Sequence, residues 1–481
     1  MKKHTSIFIL SALCIALGSC SEDKMDEINE NKNNPTEMAS KFILTDVMTS
    51  TAFDLVGADL SFYASMYVEH NVGIFNQYYQ AEIRNNQPAQ SSTYGNQWGQ
   101  IYTNLAHLKD CLQKCQPGGT EAENYHGLGI AQVMTAYDLA LLTDLFGDVP
   151  WTEALQPGVI YTPKIDSQES IYKEIFKYLD DAIENLGKDC SYAMGNQDLY
   201  YSGNVELWTK FAYGLKARYT MRLLKRSADQ NGDLNKVIEY ANKSFASADE
   251  EAKFKYYDGV AATSPYYQFY LDRNYFGSSL SLYTLLDAKA DPRIDIYFKE
   301  NKNETFELAE NGKPKQQQDF YGISGISIAT APTFLLSYHE LEFLKAEAYA
   351  RLGKITEAQT ACVSGITAAC KKMNVNVDDA DIADYATKIK NAMNGSNALK
   401  EVQIQKYLAF YEEEAIEAYN DIRRWRALGE NPITLTHPQP DKFPVRFAYG
   451  DGDVTANPNV YEAYESINVF KDNVWWAGGS R

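Results

Sequence analysis

HELEFLKAEAYARLGKITEAQTACVSGITAAC, residues 339–370, is the stretch that decides the fold. His339 to Leu352 and Thr356 to Cys370 each repeat apolar residues at three- and four-residue steps, which predicts two amphipathic helices. Gly353-Lys354 interrupts them, and a glycine there lets the chain leave a helix through the left-handed backbone region at no steric cost. Ala346, Ala348 and Ala358 are small where the two helices touch, and Tyr349 is the wedge between them. The unit is a helical hairpin.

The spacing Ala346-x-Ala348-Tyr349-x-x-Leu352-Gly353-x-x-x-x-Ala358 is of the tetratricopeptide type. Further helices lie on both sides. Leu128 to Phe146 is apolar on most faces, so it predicts a buried helix, ended by Gly147-Asp148-Val149-Pro150. Ser167 to Leu186 sets Ile171, Ile175, Phe176, Leu179, Ala182, Ile183 and Leu186 on one stripe, with Ser167 or Ser170 as N-cap and Gly187 as the stop. Val205 to Leu224 carries Leu207, Phe211, Leu215, Tyr219 and Leu223, and Val402 to Leu428 reads as one more long amphipathic helix. Residues 60–100, 250–335 and 430–481 lack helical periodicity. The fold class is therefore mainly α: a tetratricopeptide-like helical hairpin scaffold with long loop-rich insertions and few short strands. Long loops on such a scaffold are where function is expected.

The amino terminus has its own logic. Lys2 and Lys3 precede the apolar run Ile7 to Leu17, which is shorter than the ~20 residues a bilayer span needs. Gly18 and Ser19 are small enough for a signal peptidase, so residues 1–19 are expected to be a signal peptide. Cys20 directly after them is the acceptor that lipoprotein processing requires, and several acyl chains at ~0.8 kcal/mol per CH2 hold such an anchor on a membrane. Residues 20–40, rich in Asn, Glu and Lys, cannot bury enough surface to fold and form a flexible acidic tether. About 460 residues remain after the signal, enough for roughly three domains, yet no Pro/Gly/Ser-rich linker divides them. Residues 41–481 are read as a single body.

Removing residues 1–19, with Lys2 and Lys3, takes the formal charge from −19 to −21, which argues against nucleic acid as a partner. Cys111, Cys115, Cys190, Cys362 and Cys370 are an odd remainder without a framework, expected to be small apolar fillers with at most one opportunistic bridge. No Cx2C pair or flanking His supports zinc. His339-Glu340 lacks the second His of a zinc-protease helix, and Glu340 is better read as an ion-pair partner. Acidic pairs such as Asp180-Asp181 and the run Glu412 to Glu414 are expected on solvated helix faces rather than across a sugar. No enzyme, cofactor or metal is implied.

The chain has 35 Tyr, 21 Phe and 6 Trp, 13% aromatic, and Tyr joins a flat apolar face to a polar tip suited to wet surfaces. Sugar rings present C–H faces that stack on such side chains. Tyr94, Asn96 and Trp98 in the first aperiodic segment, with Tyr266, Tyr267, Tyr275 and Phe276 in the second, are the candidate ligand-binding residues, expected to line one concave surface.

Leu145-Phe146-Gly147-Asp148-Val149-Pro150-Trp151 followed by Glu153-Ala154 resembles the "FGDVP" segment of the SusD/RagB family of nutrient-binding outer-membrane lipoproteins. Asp166-x-Gln168-Glu169-x-Ile171-Tyr172, Trp208-x-x-Phe211-Ala212-x-x-Leu215-x-Ala217-Arg218, Asp291-Pro292-Arg293, Ser337-Tyr338-x-Glu340, and Gln405-Lys406-Tyr407 before Arg423-Arg424-Trp425 continue the resemblance in order, from about residue 40 to the end. Gln405-Lys406-Tyr407 and Glu412 to Glu414 replace the acidic–arginine cluster of the best-known branch. The resemblance implies a non-catalytic binder that catches an oligomeric nutrient, usually a glycan or oligosaccharide, and passes it to a SusC-type TonB-dependent transporter. It also implies a place on the outer membrane, held by the lipid on Cys20. Ser21-Glu22-Asp23, Asp26, Glu27 and Glu30 resemble the export signal that carries lipoproteins of Bacteroidota-type bacteria to the extracellular face. A peptide-binding uptake lipoprotein and a helical protein–protein scaffold are the alternatives, because tetratricopeptide hairpins also hold peptides and subunits.

Overall fold

Gly353 stands at φ 73° between two helices, so the hairpin of residues 339–370 is present with that glycine at its turn. The computed structural model describes residues 37–87, 93–372 and 377–480. Its helices begin with α1 (Ser40–Ser50), α2 (Asp59–Tyr67), α3 (Asn76–Ile83), α4 (Gly95–Cys115), α5 (Tyr125–Phe146), α6 (Gln168–Leu186), α7 (Val205–Arg222) and α8 (Gln230–Asn242). They continue with α9 (Pro265–Asp272), α10 (Leu280–Lys289), α11 (Ile294–Tyr297), α12 (Tyr338–Arg351), α13 (Ile355–Lys371), α14 (Asp379–Ala392), α15 (Asn397–Ala409), α16 (Ala415–Ala427), α17 (Asp451–Ala456) and α18 (Pro458–Glu465). Three short antiparallel pairs accompany them: β1 (Asn71–Gly73) with β3 (Phe276–Ser278), β2 (Ala252–Phe254) with β6 (Thr333–Leu336), and β4 (Phe298–Lys299) with β5 (Ile323–Ser324). The protein is mainly α with few short strands, as its periodicity predicts.

The scaffold packs largely in chain order: α1 on α4, α4 on α5, α5 on α6, α6 on α7, α7 on α8, α8 on α12, α12 on α13, then α13 on α14 and α15. Ser40–Arg481 form one compact unit. Glycines let these helices approach closely. A Cβ at Gly214 of α7 would lie 2.3 Å from Leu336 and 2.6 Å from Ser244 Oγ, and one at Gly365 of α13 would lie 3.0 Å from the Phe343 ring. Ser167 caps α6 as the sequence suggests, its Oγ accepting from Ser170 N; Asn204 Oδ1 likewise accepts from Glu206 N and Leu207 N, and Ser337 Oγ from Glu340 N. Each such cap is worth about 1 kcal/mol. α5 is buried almost end to end, as its uniform apolar surface requires.

Three expectations need correction. Residues 60–100 are not dominated by loops: α2, α3 and the start of α4 lie there. Every residue from Leu60 to Tyr67 is buried, so α2 has no polar face and no amphipathic period to read. Val402 to Leu428 is not one helix, since α15 ends at Ala409 and α16 begins at Ala415, with Glu412 at φ 68° between them. The run Glu412 to Glu414 is not solvated either; the three residues are 0%, 2% and 6% exposed. Ser324 Oγ donates to Glu412 at 2.6 Å, Ser337 Oγ donates to Glu414 at 2.6 Å, and His339 Nε2 meets Glu414 at 2.6 Å. Lys372 Nζ donates to the Ala409 and Tyr411 carbonyls that the break exposes. Tertiary partners thus override the helical propensity of this acidic stretch.

All five cysteines beyond residue 37 are free. Cys111, Cys115, Cys362 and Cys370 are buried fillers, and burial pushes the Cys115 and Cys370 thiols up to about 11. Cys190 is the exception, only half-buried. Glu340 is an ion-pair partner: Arg218 donates to it through Nε at 2.8 Å and Nη2 at 2.5 Å, fully inside the protein. Cys20, the signal peptide and the tether to residue 36 lie outside the described residues.

Candidate ligand-binding cleft

The aromatic excess is first of all a core. Tyr94 stacks on Phe447 at 4.2 Å and 13°, and its hydroxyl meets that of Tyr67 at 2.6 Å. Trp98 packs edge-on against Phe146, and its Nε1 donates to Asp453 at 2.6 Å. Tyr266 packs against Phe62 and shares a hydrogen bond with Ser61 Oγ at 2.9 Å; Phe276, in β3, meets Phe62, Tyr78 and Phe269. Tyr63 contacts both Tyr78 and Tyr94, so the rings of the two aperiodic segments form one buried seam. Tyr94, Trp98, Tyr266 and Phe276 are 0%, 3%, 1% and 0% exposed. They therefore do not line a concave surface. The reason is physical: segments this large need cores of their own, and rings supply them.

The other three candidates separate. Asn96 is exposed in the first turn of α4. Tyr275 is half-buried against Phe75 and Phe269. Tyr267, half-buried on α9, lines a cleft of about 230 Å³. One wall of this cleft is α9 and its exit through Asn274; the opposite wall is the β4–β5 region and Gln318-Asp319. β4 and β5 hold that wall in register through Phe298↔Ser324 and Lys299↔Ile323.

The polar atoms of the cleft show what it can bind. Asn274 donates through Nδ2 to Asp319, Lys302 pairs with Asp319 at 2.8 Å, and Asn301 Nδ2 donates to the Tyr321 carbonyl at 2.9 Å. These contacts fix the rim. Two buried atoms have no partner: the amide oxygen of Asn274 and the hydroxyl of Ser327. A buried polar atom left unpaired costs about 1–3 kcal/mol, so both gain from a ligand that brings hydroxyls. Beneath the floor, Tyr270 and Ser324 donate to the buried carboxylate of Glu412. Burial is the main reason its pKa is raised to about 7, against the opposing Ser324 hydrogen bond and the Lys372 charge. No period or motif in the sequence marks Asn274, Gln318 or Ser327; of the seven candidate residues, Tyr267 alone lines this cleft.

Among the described residues no helix is long and apolar enough to cross a membrane, and no group of three or more His, Cys, Asp or Glu could hold a metal ion.

The molecule is a helical hairpin scaffold with a polar cleft walled by α9 and the β4–β5 region. The chain belongs to the SusD/RagB family: the sequence model of the family described as "Starch-binding associating with outer membrane" matches residues 32–450. A SusD/RagB family protein from Bacteroides thetaiotaomicron, known as a crystal structure, is 43% identical, with 92% of this chain and 100% of that one covered and a TM-score of 0.84. A chitin-binding protein shares the fold at 22% identity, 91% and 99% coverage and a TM-score of 0.75. A chitin-binding SusD homolog from Flavobacterium johnsoniae does so at 17% identity, 91% and 98% coverage and a TM-score of 0.72. No curated protein matches the chain.

Proposed function

We propose that this protein binds an oligosaccharide at the Tyr267 cleft on the cell surface, without cleaving it, and delivers it to a SusC-type TonB-dependent transporter. The observation that carries the reading is the pairing of the Tyr267 ring with the unsatisfied Asn274 oxygen and Ser327 hydroxyl in one cleft. A sugar offers the complementary set, a C–H face for the ring and hydroxyls for the polar atoms. The family description supports a glycan and an outer-membrane location, and two structural neighbours are chitin-binding proteins. The lipid on Cys20 would supply the anchor, and the acidic residues after it the surface address.

A crystal structure of the protein soaked with chito-oligosaccharides and, separately, malto-oligosaccharides tests the site. A sugar ring over Tyr267 with hydroxyls on Asn274 and Ser327 is expected for one of the two series. Sugar bound solely elsewhere on the molecule overturns the assignment.

A further inference from the structure

We infer that a second, separate pocket binds an aliphatic carboxylate, a hydrocarbon body with an ionised head. The pocket holds about 590 Å³ between α10, α15 and the loops 310–313 and 432–438, within the usual range for small-molecule sites. Leu280, Leu285, Ile404, Pro432, Ile433 and Pro438 make its lining largely aliphatic. Its one aromatic residue, Tyr407, is 1% exposed and offers no face for a sugar to stack on. Leu280, by contrast, is 38% exposed at the edge.

The walls are fixed before any ligand arrives. Glu69, buried at φ 64°, accepts from Thr436 N, Thr436 Oγ1 and His437 N, which pins the 432–438 loop. Buried Glu82 accepts from Gly312 N at 2.6 Å and pins the 310–313 loop. Lys289 pairs with Glu401 at 2.6 Å and ties α10 to α15.

The head group follows from the polar atoms. Ser279 Oγ caps α10 by accepting from Leu282 N, and spends its hydrogen on Asn311 Oδ1 at 3.0 Å. That bond sets the orientation of the Asn311 amide. Its Nδ2, on a residue 4% exposed that lines the pocket, is left as a buried donor with no acceptor. Lys313 and Lys400 lie exposed on the same pocket with no ion-pair partner among the described residues, against the single acid Glu310. A donor without an acceptor and two unpaired ammonium groups, on a chain of net charge −19, call for an anionic acceptor. The aliphatic lining calls for a hydrocarbon body.

The full-length polypeptide, produced unacylated so that no detergent is needed, is titrated calorimetrically with hexanoate, octanoate and decanoate, and with decanol and decylammonium. Affinity should rise about fourfold per added methylene until the pocket is full, with decanoate at least tenfold tighter than either uncharged or cationic analogue. Lys313→Glu with Lys400→Glu, both at exposed positions, should weaken decanoate at least fivefold, and Thr284→Trp on the exposed side of α10 should fill the groove and abolish binding. Decanol as tight as decanoate would overturn the anionic head. No decanoate binding, or binding unchanged by Thr284→Trp in a variant that melts like the parent, would overturn the pocket itself.

Discussion

At the scale of single residues, burial decides meaning. Tyr94 and Trp98 looked like a binding loop because rings and amides cluster there. Their partners Phe447, Phe146 and Asp453 come from far along the chain, and no local spacing predicts them. Tyr267 sits beside buried Tyr266 in sequence but one position round the helix, and that alone leaves it half-exposed in the cleft. Glu412 is the sharpest case, an acid in an acidic run that ends up under the cleft floor. A carboxyl raised from 4.5 to about 7 takes up a proton on folding, so its ionisation penalises the fold as pH rises from about 4.5 and the penalty is complete above about 7. Glu412→Gln removes that penalty. Relative to the parent, the variant should gain up to roughly 3 kcal/mol between pH 4.5 and pH 8, at about 1.4 kcal/mol per unit. Urea unfolding at both pH values checks this, and a difference that does not change with pH contradicts it.

At the scale of elements, the hairpins were legible and the irregular parts were not. Residues 339–370 declare themselves through a 3.6-residue period, small residues at the crossing and a glycine that the turn puts at φ 73°. α15 and α16 read as one helix because a break held by Ser324, Ser337, His339 and Lys372 leaves no local mark. Between α7 and α12 the tie is ionic. Arg218 and Glu340 meet with both oxygens engaged, and Arg218 also donates to the Leu335 carbonyl at 2.8 Å. Removing one partner strands the other charge inside, which typically costs about 3–5 kcal/mol. Glu340→Ala should destabilise by that amount, read from thermal or urea unfolding, and a loss below about 1 kcal/mol would mean that Glu417, 3.7 Å from Arg218 Nε, compensates.

At the scale of the whole molecule, class and order of elements were readable from the sequence, whereas the cleft was readable only through Tyr267. Ser40–Arg481 form one compact unit, and the lipid proposed for Cys20 is open to direct test. Cys20→Ala should leave the unit folded and move it from the outer-membrane fraction to the soluble one in its own host. Unchanged pelleting with outer membranes contradicts the lipid anchor. The central claim, that glycan binding resides in the Tyr267 cleft while the neighbouring rings are core, is tested most directly by paired calorimetry. Oligosaccharide affinity and unfolding free energy are measured together for Tyr267→Ala and Trp98→Ala. Tyr267→Ala should lose roughly 1–3 kcal/mol of binding at nearly parental stability. Trp98→Ala should lose roughly 3–5 kcal/mol of stability and, where folded, keep its affinity. The reverse pattern, binding lost with Trp98 and kept without Tyr267, would contradict it.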